Sequence, residues 1–530
     1  MARANSKSVS KFNTAASTNV VTNLAGGKGY KYPPELELAI RCASNFMEDS
    51  FYAKNNDIKK SIRNLVMEIG EKDPTYVMKL AGWLRNEMNM RSISIYLLAL
   101  MAGHPSYQRK PKPWINTYGP YIMIRADEPA EALAAFQSAY PGEKIPQALQ
   151  KAINARLNKF SAYDAIKYRG EKRDWSLKDV IRVTHPKPAN RSIDYLFNWI
   201  VNGEATEEGA KEVYLDQLAS YLSISKANSF NEINIEALDG VTWEILVSKF
   251  GSKPEVWQAA AKVMPSMAYI RNLRNLLDKS GNMEIDAQKI TMAGKGKRIL
   301  PFRFLTAKKV VDGLGHEFSK EAKKVKKALE DAIELSVSNV PNLGNVAILV
   351  DYSGSMSHKV SSKSDMTCSD AARIFAAAAF KRADNAVIIE YDSYANVVTG
   401  IEKDDRLFSI VDNMQTPNGG TNLSAAVQLA GEYIKHIDMV YILTDEQSWQ
   451  GSSWGHQGDD AMGKLLGMKP SLKVVNHNLM SYGTSDLPQD SRILDIGGWS
   501  DQIFNVVDAW GKGDMVGTIR NWHPDVREDD

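Results

Sequence analysis

The sequence predicts a protein in two parts, a helical region followed by an α/β domain with a doubly wound, mostly parallel sheet. Three observations favour this division. Before about residue 340, apolar residues recur at helical spacing and few alternating strand patterns occur. Beyond that position, short apolar runs alternate with helical stretches, as in sheets covered on both faces. The charge divides there too, because residues 1–340 carry 50 basic and 37 acidic side chains and residues 341–530 carry 15 and 26.

These patterns predict three segments. Residues 1–25 are expected to form a flexible arm rich in Ser, Thr, Asn and Gly, residues 26–340 a helical domain, and residues 341–530 the α/β domain. The net charge of +2 is therefore the sum of a basic and an acidic block that nearly cancel. A basic block attracts polyanions, whereas an acidic block suits cations or basic partners.

Composition excludes several classes of protein. Hydrophobic residues make up 44% of the 530, which excludes a wholly disordered chain. Two cysteines, Cys42 and Cys368, are too few for a disulfide scaffold and fit a reducing, cytoplasmic compartment. No apolar run approaches the 18 or so residues that cross a bilayer, so we expect no membrane partner.

The first part of the chain has the pattern of paired helices. Asp73-Pro74 is typical of a helix N-cap followed by Pro at the first helical position, and apolar spacing continues to Leu84. Arg91-Ser92 begins a second apolar run, which ends at Gly103. Because similar runs recur up to residue 277, the simplest architecture is a ring or solenoid of paired helices. An irregular all-helical domain is the alternative.

Basic and aromatic side chains concentrate between Lys144 and Arg191, a stretch with 12 basic and 4 acidic residues. Tyr163, Tyr168 and Trp175 lie among them. This combination suits single-stranded nucleic acid, since cations neutralise phosphates and rings stack on bases. A solvated helix face is the alternative interpretation. The candidate RNA-binding residues are Lys167, Arg169, Lys172, Arg173, Arg182, His185 and Lys187.

Oxygen-bearing side chains collect where strands of the predicted sheet end. The apolar strand Val346–Val350 runs into an Asp-Tyr-Ser-Gly-Ser sequence, and the strand Met439–Leu443 runs into Thr-Asp. Between them, Gly419-Gly420 precedes a Thr at the start of a helix. Carboxylates and hydroxyls on converging loops suit a hard divalent cation, most simply Mg²⁺, although structural capping uses the same residue types. The candidate metal ligands are Asp351, Ser353, Ser355, Thr421 and Asp445.

The order Asp-x-Ser-x-Ser, then Thr, then Asp at these five positions resembles the metal-ion-dependent adhesion site of von Willebrand factor A domains. The resemblance implies direct coordination by Ser353, Ser355 and Thr421. It implies coordination by Asp351 and Asp445 either directly or through water. A remaining open position would take a carboxylate from a protein partner, which gives adhesion rather than catalysis.

A helical basic domain followed by an A domain resembles the Ro RNA-binding protein family, whose ring of HEAT-like helical repeats is called the TROVE module. The segments that carry the resemblance are Leu80–Arg91, Lys178–Pro188, Met264–Leu273, Ile299–Phe302 and Ile493–Ile496. It implies a noncatalytic protein that holds a small noncoding Y-type RNA on its outer surface. Single-stranded 3′ ends of misfolded or structured RNA would enter a basic central cavity, where Lys167 and His185 fall on family positions.

The same resemblance implies a role in ribonucleoprotein assembly and in RNA quality control or decay, with an exoribonuclease as a candidate partner. Two other functions fit part of the pattern. One is an A-domain cofactor of a ring-shaped ATPase, and the other is a Mg²⁺-dependent nuclease or phosphatase that uses Asp351 and Asp445. The second is the weaker, because no Gly-x-Ser-x-Gly motif surrounds Ser353 and Ser355 and no phosphate-loop spacing occurs.

Overall fold

The computed structural model describes residues 20–22, 28–30, 33–44, 56–169, 174–234, 241–281, 283–296, 299, 301–313, 320–360, 366–445, 457–479, 487, 490–497, 503–513 and 515–524. The predicted arm at residues 1–25 therefore lies outside the described residues, except for a strand at Val20–Thr22. The chain forms two compact units. The helical unit comprises residues 47–293, 307–332 and 519–530, and the sheet unit comprises residues 1–46, 294–306 and 333–518.

The described strands are β1 (Val20–Thr22), β2 (Lys28–Tyr30), β3 (Asn345–Asp351), β4 (Asn385–Tyr391), β5 (Ala395–Val397), β6 (Met439–Thr444), β7 (Lys473–Asn478) and β8 (Ile493–Gly497). The described helices are α1 (Pro34–Ser44), α2 (Asn56–Lys72), α3 (Pro74–Asn86), α4 (Ser92–Ala102), α5 (Pro113–Ile122), α6 (Glu128–Ala139), α7 (Gln147–Leu157), α8 (Ala162–Tyr168), α9 (Leu177–Thr184), α10 (Arg191–Asn202), α11 (Glu207–Glu212), α12 (Asp216–Lys226), α13 (Trp243–Phe250), α14 (Pro254–Val263), α15 (Ser266–Arg271), α16 (Leu273–Lys279), α17 (Ala287–Ala293), α18 (Pro301–Asp312), α19 (Lys320–Val337), α20 (Cys368–Arg382), α21 (Leu407–Asp412), α22 (Leu423–Glu432), α23 (Gln457–Met468), α24 (Ile503–Gly511) and α25 (Met515–Asn521).

The helical unit is a succession of helices that pack on their near neighbours. The α3 helix packs on α4 and α5, α4 packs on α6, and α5 packs on α7. The predicted start of α3 is confirmed, because Asp73 Oδ1 accepts the Tyr76 N–H at 3.0 Å and Pro74 is the first helical residue. Further along, a smaller apolar cluster around Phe230 and Leu246 holds α12, α13 and α14 together.

A buried ion network joins α3 to the start of α6. Arg85 Nη2 donates to Glu128 Oε1 at 2.7 Å, and these side chains are 6% and 0% exposed. Arg91 donates to Asp127 Oδ2 at 2.7 Å and also pairs with Glu131. The three acids stand in the first turn of α6 or just before it, where the helix dipole favours negative charge.

Residues 519–524 follow the sheet unit in sequence but belong to the helical unit. The Trp522 ring lies so close over Gly82 of α3 that a Cβ there would be 2.2 Å from the ring. Its Nε1–H donates to Glu87 Oε1 at 3.2 Å. The buried Lys79 ammonium donates to the Arg520 carbonyl at 2.6 Å. Residues 519–524 thus complete the packing around α3.

The sheet unit contains the predicted doubly wound sheet, with strand order β5-β4-β3-β6-β7-β8. All neighbours are parallel except the edge strand β5, which runs antiparallel to β4. One face packs Ala347 and Leu349 of β3 against α22 and α23. On the other face, Phe375 of α20 contacts Phe504 of α24 and His477 of β7. The sequence predicted the four central strands but neither β5 nor β8.

The sheet unit also draws on distant parts of the sequence. The α1 helix packs on α24 and β8, and Phe302 of α18 packs on Phe375 with ring centroids 4.1 Å apart. The units are therefore discontinuous in sequence, whereas the sequence predicted one break near residue 340. Within the described part of the chain, no helix combines the length and the apolar character that a bilayer span requires.

Candidate metal centre and basic surface

The first candidate metal loop begins at the end of the central strand. Asp351 is the last residue of β3, and a 3-10 turn at Gly354–Ser357 follows it. The backbone N–H of Ser353 donates to Asp351 Oδ1 at 2.8 Å, which fixes the carboxylate against the turn. The hydroxyl oxygens of Ser353 and Ser355 lie 3.1 Å apart. All three predicted ligands of this loop are therefore brought together.

The end of β6 supplies the second carboxylate. Ser355 Oγ donates to Asp445 Oδ1 at 3.1 Å, so a chain of two hydroxyls links the two loops. Thr444, which sequence reasoning did not select, donates from Oγ1 to Asp351 Oδ2 at 2.8 Å. Asp351 is 1% exposed and Asp445 is 0% exposed. No pattern in the sequence singles out Thr444, because its hydrogen bond depends on β6 pairing with β3 and ending beside it.

Thr421 lies on a third loop that is hydrogen-bonded to the first. The Gly354 N–H donates to the Gly419 carbonyl at 3.2 Å, and the Asn418 N–H donates to the Tyr352 carbonyl at 2.7 Å. Gly419 has a φ of 66°, a conformation that favours glycine. Thr421 itself is partly exposed and precedes the N-cap of α22. The loop thus holds Gly419, two residues before Thr421, against Gly354 of the first loop, and among the described residues no hydrogen bond joins Thr421 to the other four candidates.

The electrostatics of this group fit a hard cation. Burial raises the pKa of Asp351 to about 7, hydrogen bonds from Ser353 and Thr444 oppose that rise, and the Asp445 charge adds to it. The neighbouring Cys368 thiol has its pKa raised to about 12 by burial and by the same two carboxylates, so it stays a neutral thiol. A cation would offset the cost of burying two carboxylates together. Across the described residues, no cluster of three or more His, Cys, Asp or Glu could hold a metal ion.

The basic surface centres on the loop between α9 and α10. Asn154 Nδ2 donates to the Thr184 carbonyl at 2.9 Å, and Asn158 bonds the Lys187 carbonyl at 3.0 Å and the Ala189 N–H at 2.7 Å. Two amides on and just after α7 therefore fix this loop. His185 ends α9 in the left-handed region, with a φ of 46°. Arg182 in the last turn of α9 and His185 and Lys187 on the loop are all exposed, and we call these three predicted residues the basic surface.

Lys167 and Arg169 lie at the end of α8 among aromatic rings. Lys167 Nζ lies 5.5 Å from the Tyr163 ring centroid and 5.7 Å from that of Tyr168. Burial opposes its charge, but the two tyrosines and Glu244 outweigh it, so the pKa of Lys167 lies above its usual value. The Arg169 guanidinium lies 4.7 Å from the Trp199 ring centroid and is half-buried there. Lys172 and Arg173 lie outside the described residues.

Comparisons with known proteins match the helical region and the sheet region to two family models. The family model described as TROVE domain matches residues 35–219 and 238–369, more than half of the chain. The family model described as Ro60 vWA domain matches residues 345–510. The second match contains all five candidate metal ligands, and the first contains the whole basic surface.

Individual relatives agree with these matches. A Deinococcus radiodurans protein named RNA-binding protein RO60 is 25% identical over 375 residues, which are 66% of this chain and 68% of that protein. Telomerase protein component 1 of Mus musculus is 22% identical over 325 residues, 50% of this chain but only 12% of its own length. The crystal structure of the Deinococcus radiodurans Ro (Rsr) protein aligns with a TM-score of 0.66 at 18% identity, covering 91% of this chain and all of that one. At that identity the structural match shows the fold.

Proposed function

The chain belongs to the Ro family, which joins a TROVE domain to a Ro60-type A domain, and from that premise we propose that it is a noncatalytic RNA-binding protein. The observation that carries the proposal is the exposure of Arg182 in the last turn of α9 and of His185 and Lys187 on the α9–α10 loop, whose backbone is fixed by hydrogen bonds. Exposed cations bind phosphates by releasing counterions, and this binding needs no particular base sequence. The name of the Deinococcus relative supports RNA as the polyanion.

We further propose the finer features that the family implies. A small noncoding Y-type RNA and the single-stranded 3′ ends of misfolded or structured RNA are the proposed ligands, and RNA quality control is the proposed role. Lys167, Lys172 and Arg173 are proposed to bind the same RNA as Arg182, His185 and Lys187. Arg169 is a weaker candidate, because its guanidinium already packs on Trp199. An exoribonuclease is the proposed protein partner of such a complex.

The RNA proposal is tested by a salt titration. We expect the Arg182→Ala, Lys187→Ala double variant to bind a single-stranded RNA oligonucleotide more weakly than the parent protein. The slope of log affinity against log salt should fall by about 1.4 if each side chain contacts one phosphate, at roughly 0.7 per contact for a single strand. Fluorescence anisotropy of labelled RNA measures both quantities.

The matched control removes two exposed lysines of the sheet unit, Lys435 and Lys464, by substitution with alanine. This variant changes the net charge by the same amount and should retain the affinity and the slope of the parent protein. If both double variants lose affinity equally, binding depends on overall charge and the assignment of the α9–α10 loop is wrong. If the parent protein binds no RNA, the proposed function itself is wrong.

We also propose that Asp351, Ser353, Ser355, Thr421 and Asp445 hold a divalent cation, with Mg²⁺ favoured by their all-oxygen donor set. When bound, the cation would supply an open coordination position for a carboxylate of a protein partner. The support is the pair of buried carboxylates joined through Ser353 and Ser355. The protein's own residues do the positioning, since Thr444 and the Ser353 N–H orient Asp351.

Calorimetry with MgCl₂ tests this site. We expect the parent protein to bind Mg²⁺ and Asp445→Asn to lose that binding, whereas Asp404→Asn, which changes an exposed acid, leaves it intact. In metal-free buffer the Asp445→Asn protein should melt at or above the parent temperature, because a buried charge has been removed. Unchanged Mg²⁺ binding in Asp445→Asn would refute the assignment.

A further inference from the structure

Tyr214 occupies a backbone position where glycine is the usual residue. After α11 the Tyr214 N–H donates to the Lys211 carbonyl at 3.0 Å, and the Leu215 N–H donates to the Ala210 carbonyl at 2.8 Å. This pair of bonds is the Schellman pattern that ends helices, and it puts Tyr214 in the left-handed region with a φ of 61°. The same chain uses Gly203, with a φ of 81°, to end α10. A side chain with a Cβ is disfavoured in this conformation.

Within the described part of the chain, the exposed Tyr214 ring gains little packing that would offset this cost. Its neighbours Val213 and Leu215 are 5% and 8% exposed, so the backbone is anchored on both sides. The Tyr214 side chain is 88% exposed. A large ring is therefore held in solvent by a strained backbone, and strain of this kind concentrates at functional sites.

One hydrogen bond connects the backbone beside Tyr214 to the start of α10, which follows the basic α9–α10 loop. The carbonyl of the adjacent Val213 accepts a hydrogen bond from Ser192 Oγ at 2.8 Å. Ser192 lies in the first turn of α10, immediately after the α9–α10 loop. The exposed Arg191 stands between that loop and Ser192. A second exposed ring, His185, also has a left-handed backbone and lies on the same loop.

We propose that Tyr214 is a base-stacking residue for single-stranded RNA, which the cations beside α10 hold by its phosphates. The inference rests on the proposed RNA-binding function and names the class of nucleic acid that this surface takes. Stacking requires an accessible ring face and an unpaired base, so it selects single strands over duplexes. RNA is favoured over a peptide partner because the exposed Arg191 precedes Ser192, which bonds the Val213 carbonyl, and the exposed cations Arg182 and Lys187 lie a few residues earlier in the sequence.

The test compares Tyr214→Ala with Tyr214→Phe in the full-length protein. Against a single-stranded RNA oligonucleotide, Tyr214→Ala should bind about tenfold more weakly, because one stacked base is lost. Tyr214→Phe keeps the ring and should bind as the parent protein does. The salt slope should not change in either variant, since a stacking contact releases no counterions. Affinity for a fully paired RNA duplex should not change either.

Two further variants separate stacking from effects on the fold. Tyr394 is 76% exposed in the sheet unit, and Tyr394→Ala is the matched control that should leave RNA affinity unchanged. Tyr214→Gly removes the ring and the backbone strain together. We expect it to melt at a higher temperature than the parent protein and to bind single-stranded RNA as weakly as Tyr214→Ala.

These outcomes separate a failure of the Tyr214 stacking role from a failure of the proposed RNA-binding function. If Tyr214→Ala binds single-stranded RNA normally while Arg182→Ala, Lys187→Ala does not, the stacking role is overturned and the RNA-binding function stands. If Tyr214→Ala weakens duplex and single-stranded binding equally, or lowers the salt slope, the residue does not act by stacking. If the parent protein binds no RNA, the proposed function and this inference fail together.

Discussion

Glu390 gives the sheet unit a predicted pH dependence that can be isolated by one substitution. It is the residue before the last of β4, and its side chain is 4% exposed. Burial raises the pKa of Glu390 to about 7, while the Gln415 N–H at 2.7 Å and the Arg373 charge act in the opposite direction. We expect Glu390→Gln to stabilise the unit above pH 7 and to leave its stability unchanged near pH 4.5.

The stability of the sheet unit falls with rising pH because folded and unfolded protein bind different numbers of protons at Glu390. Between pH 4.5, the ordinary value for Glu, and about 7, the folded protein retains the Glu390 proton that the unfolded chain has released. The free energy of unfolding therefore falls as the pH rises through this window, and the loss is complete above it. A rise from 4.5 to about 7 corresponds to a loss of about 3 kcal/mol, at roughly 1.4 kcal/mol for each pH unit. Glutamine cannot ionise, and its carbonyl still accepts the Gln415 N–H.

Thermal unfolding at pH 4.5, 6, 7 and 8 measures the effect. Differences between variant and parent cancel the titration of all other groups. The melting-temperature difference should therefore grow from near zero to about 6–12 °C at pH 8, at roughly 2–4 °C per kcal/mol for a unit of this size. Glu432→Gln, at an exposed position, should show a flat difference. A Glu390→Gln protein that is less stable at pH 8, or whose gain does not depend on pH, would refute the reasoning.

Three further predictions concern the helical unit. Glu128→Ala should lower its stability by about 3–5 kcal/mol, because Arg85 is left buried without its carboxylate; urea unfolding measures this, and Glu143→Ala at an exposed site should be nearly neutral. Trp522→Ala should cost about 3–5 kcal/mol through the cavity it leaves. Gly82→Ala should also destabilise the parent protein, since its Cβ would lie 2.2 Å from the Trp522 ring, but should cost much less in the Trp522→Ala background. Additive effects of Gly82→Ala and Trp522→Ala would contradict that contact.

Local pattern sufficed for the elements that carry the candidate metal site. The apolar runs at β3 and β6 are buried along their whole length, so composition alone indicated two central strands. Parallel neighbours end at the same edge of a sheet, which is why Asp351 and Asp445 could be predicted to meet. Thr444 could not be selected in this way, because its role depends on the direction in which one side chain leaves the strand.

Charge density was a poorer guide to the basic surface. Arg169 and Lys187 count equally in the sequence, but Arg169 packs on Trp199 and Lys187 is exposed. The difference arises from α10, which supplies the Trp199 ring from 30 positions further along the chain. Tyr214 opens a stretch with apolar residues at helical spacing, Tyr214–Leu222, yet α12 begins only at Asp216. The hydrogen bonds that end α11 keep Tyr214 out of the next helix. The sequence did not predict this helix end, because the residue at that position is usually glycine and here it is tyrosine.

The division into units could not be predicted because periodicity identifies a buried face without identifying what covers it. The Leu38 and Cys42 side chains of α1 are fully buried. An amphipathic helix packed in the helical unit would bury the same face, yet α1 belongs to the sheet unit. Trp522 presents the converse case, since it follows the A domain and packs on α3. Both segments are short and lie near the ends of the sequence, where contacts span several hundred residues. Their placement depends on complementary shapes, such as the bare backbone at Gly82 beneath an indole ring, and such shapes exist only once the fold has formed.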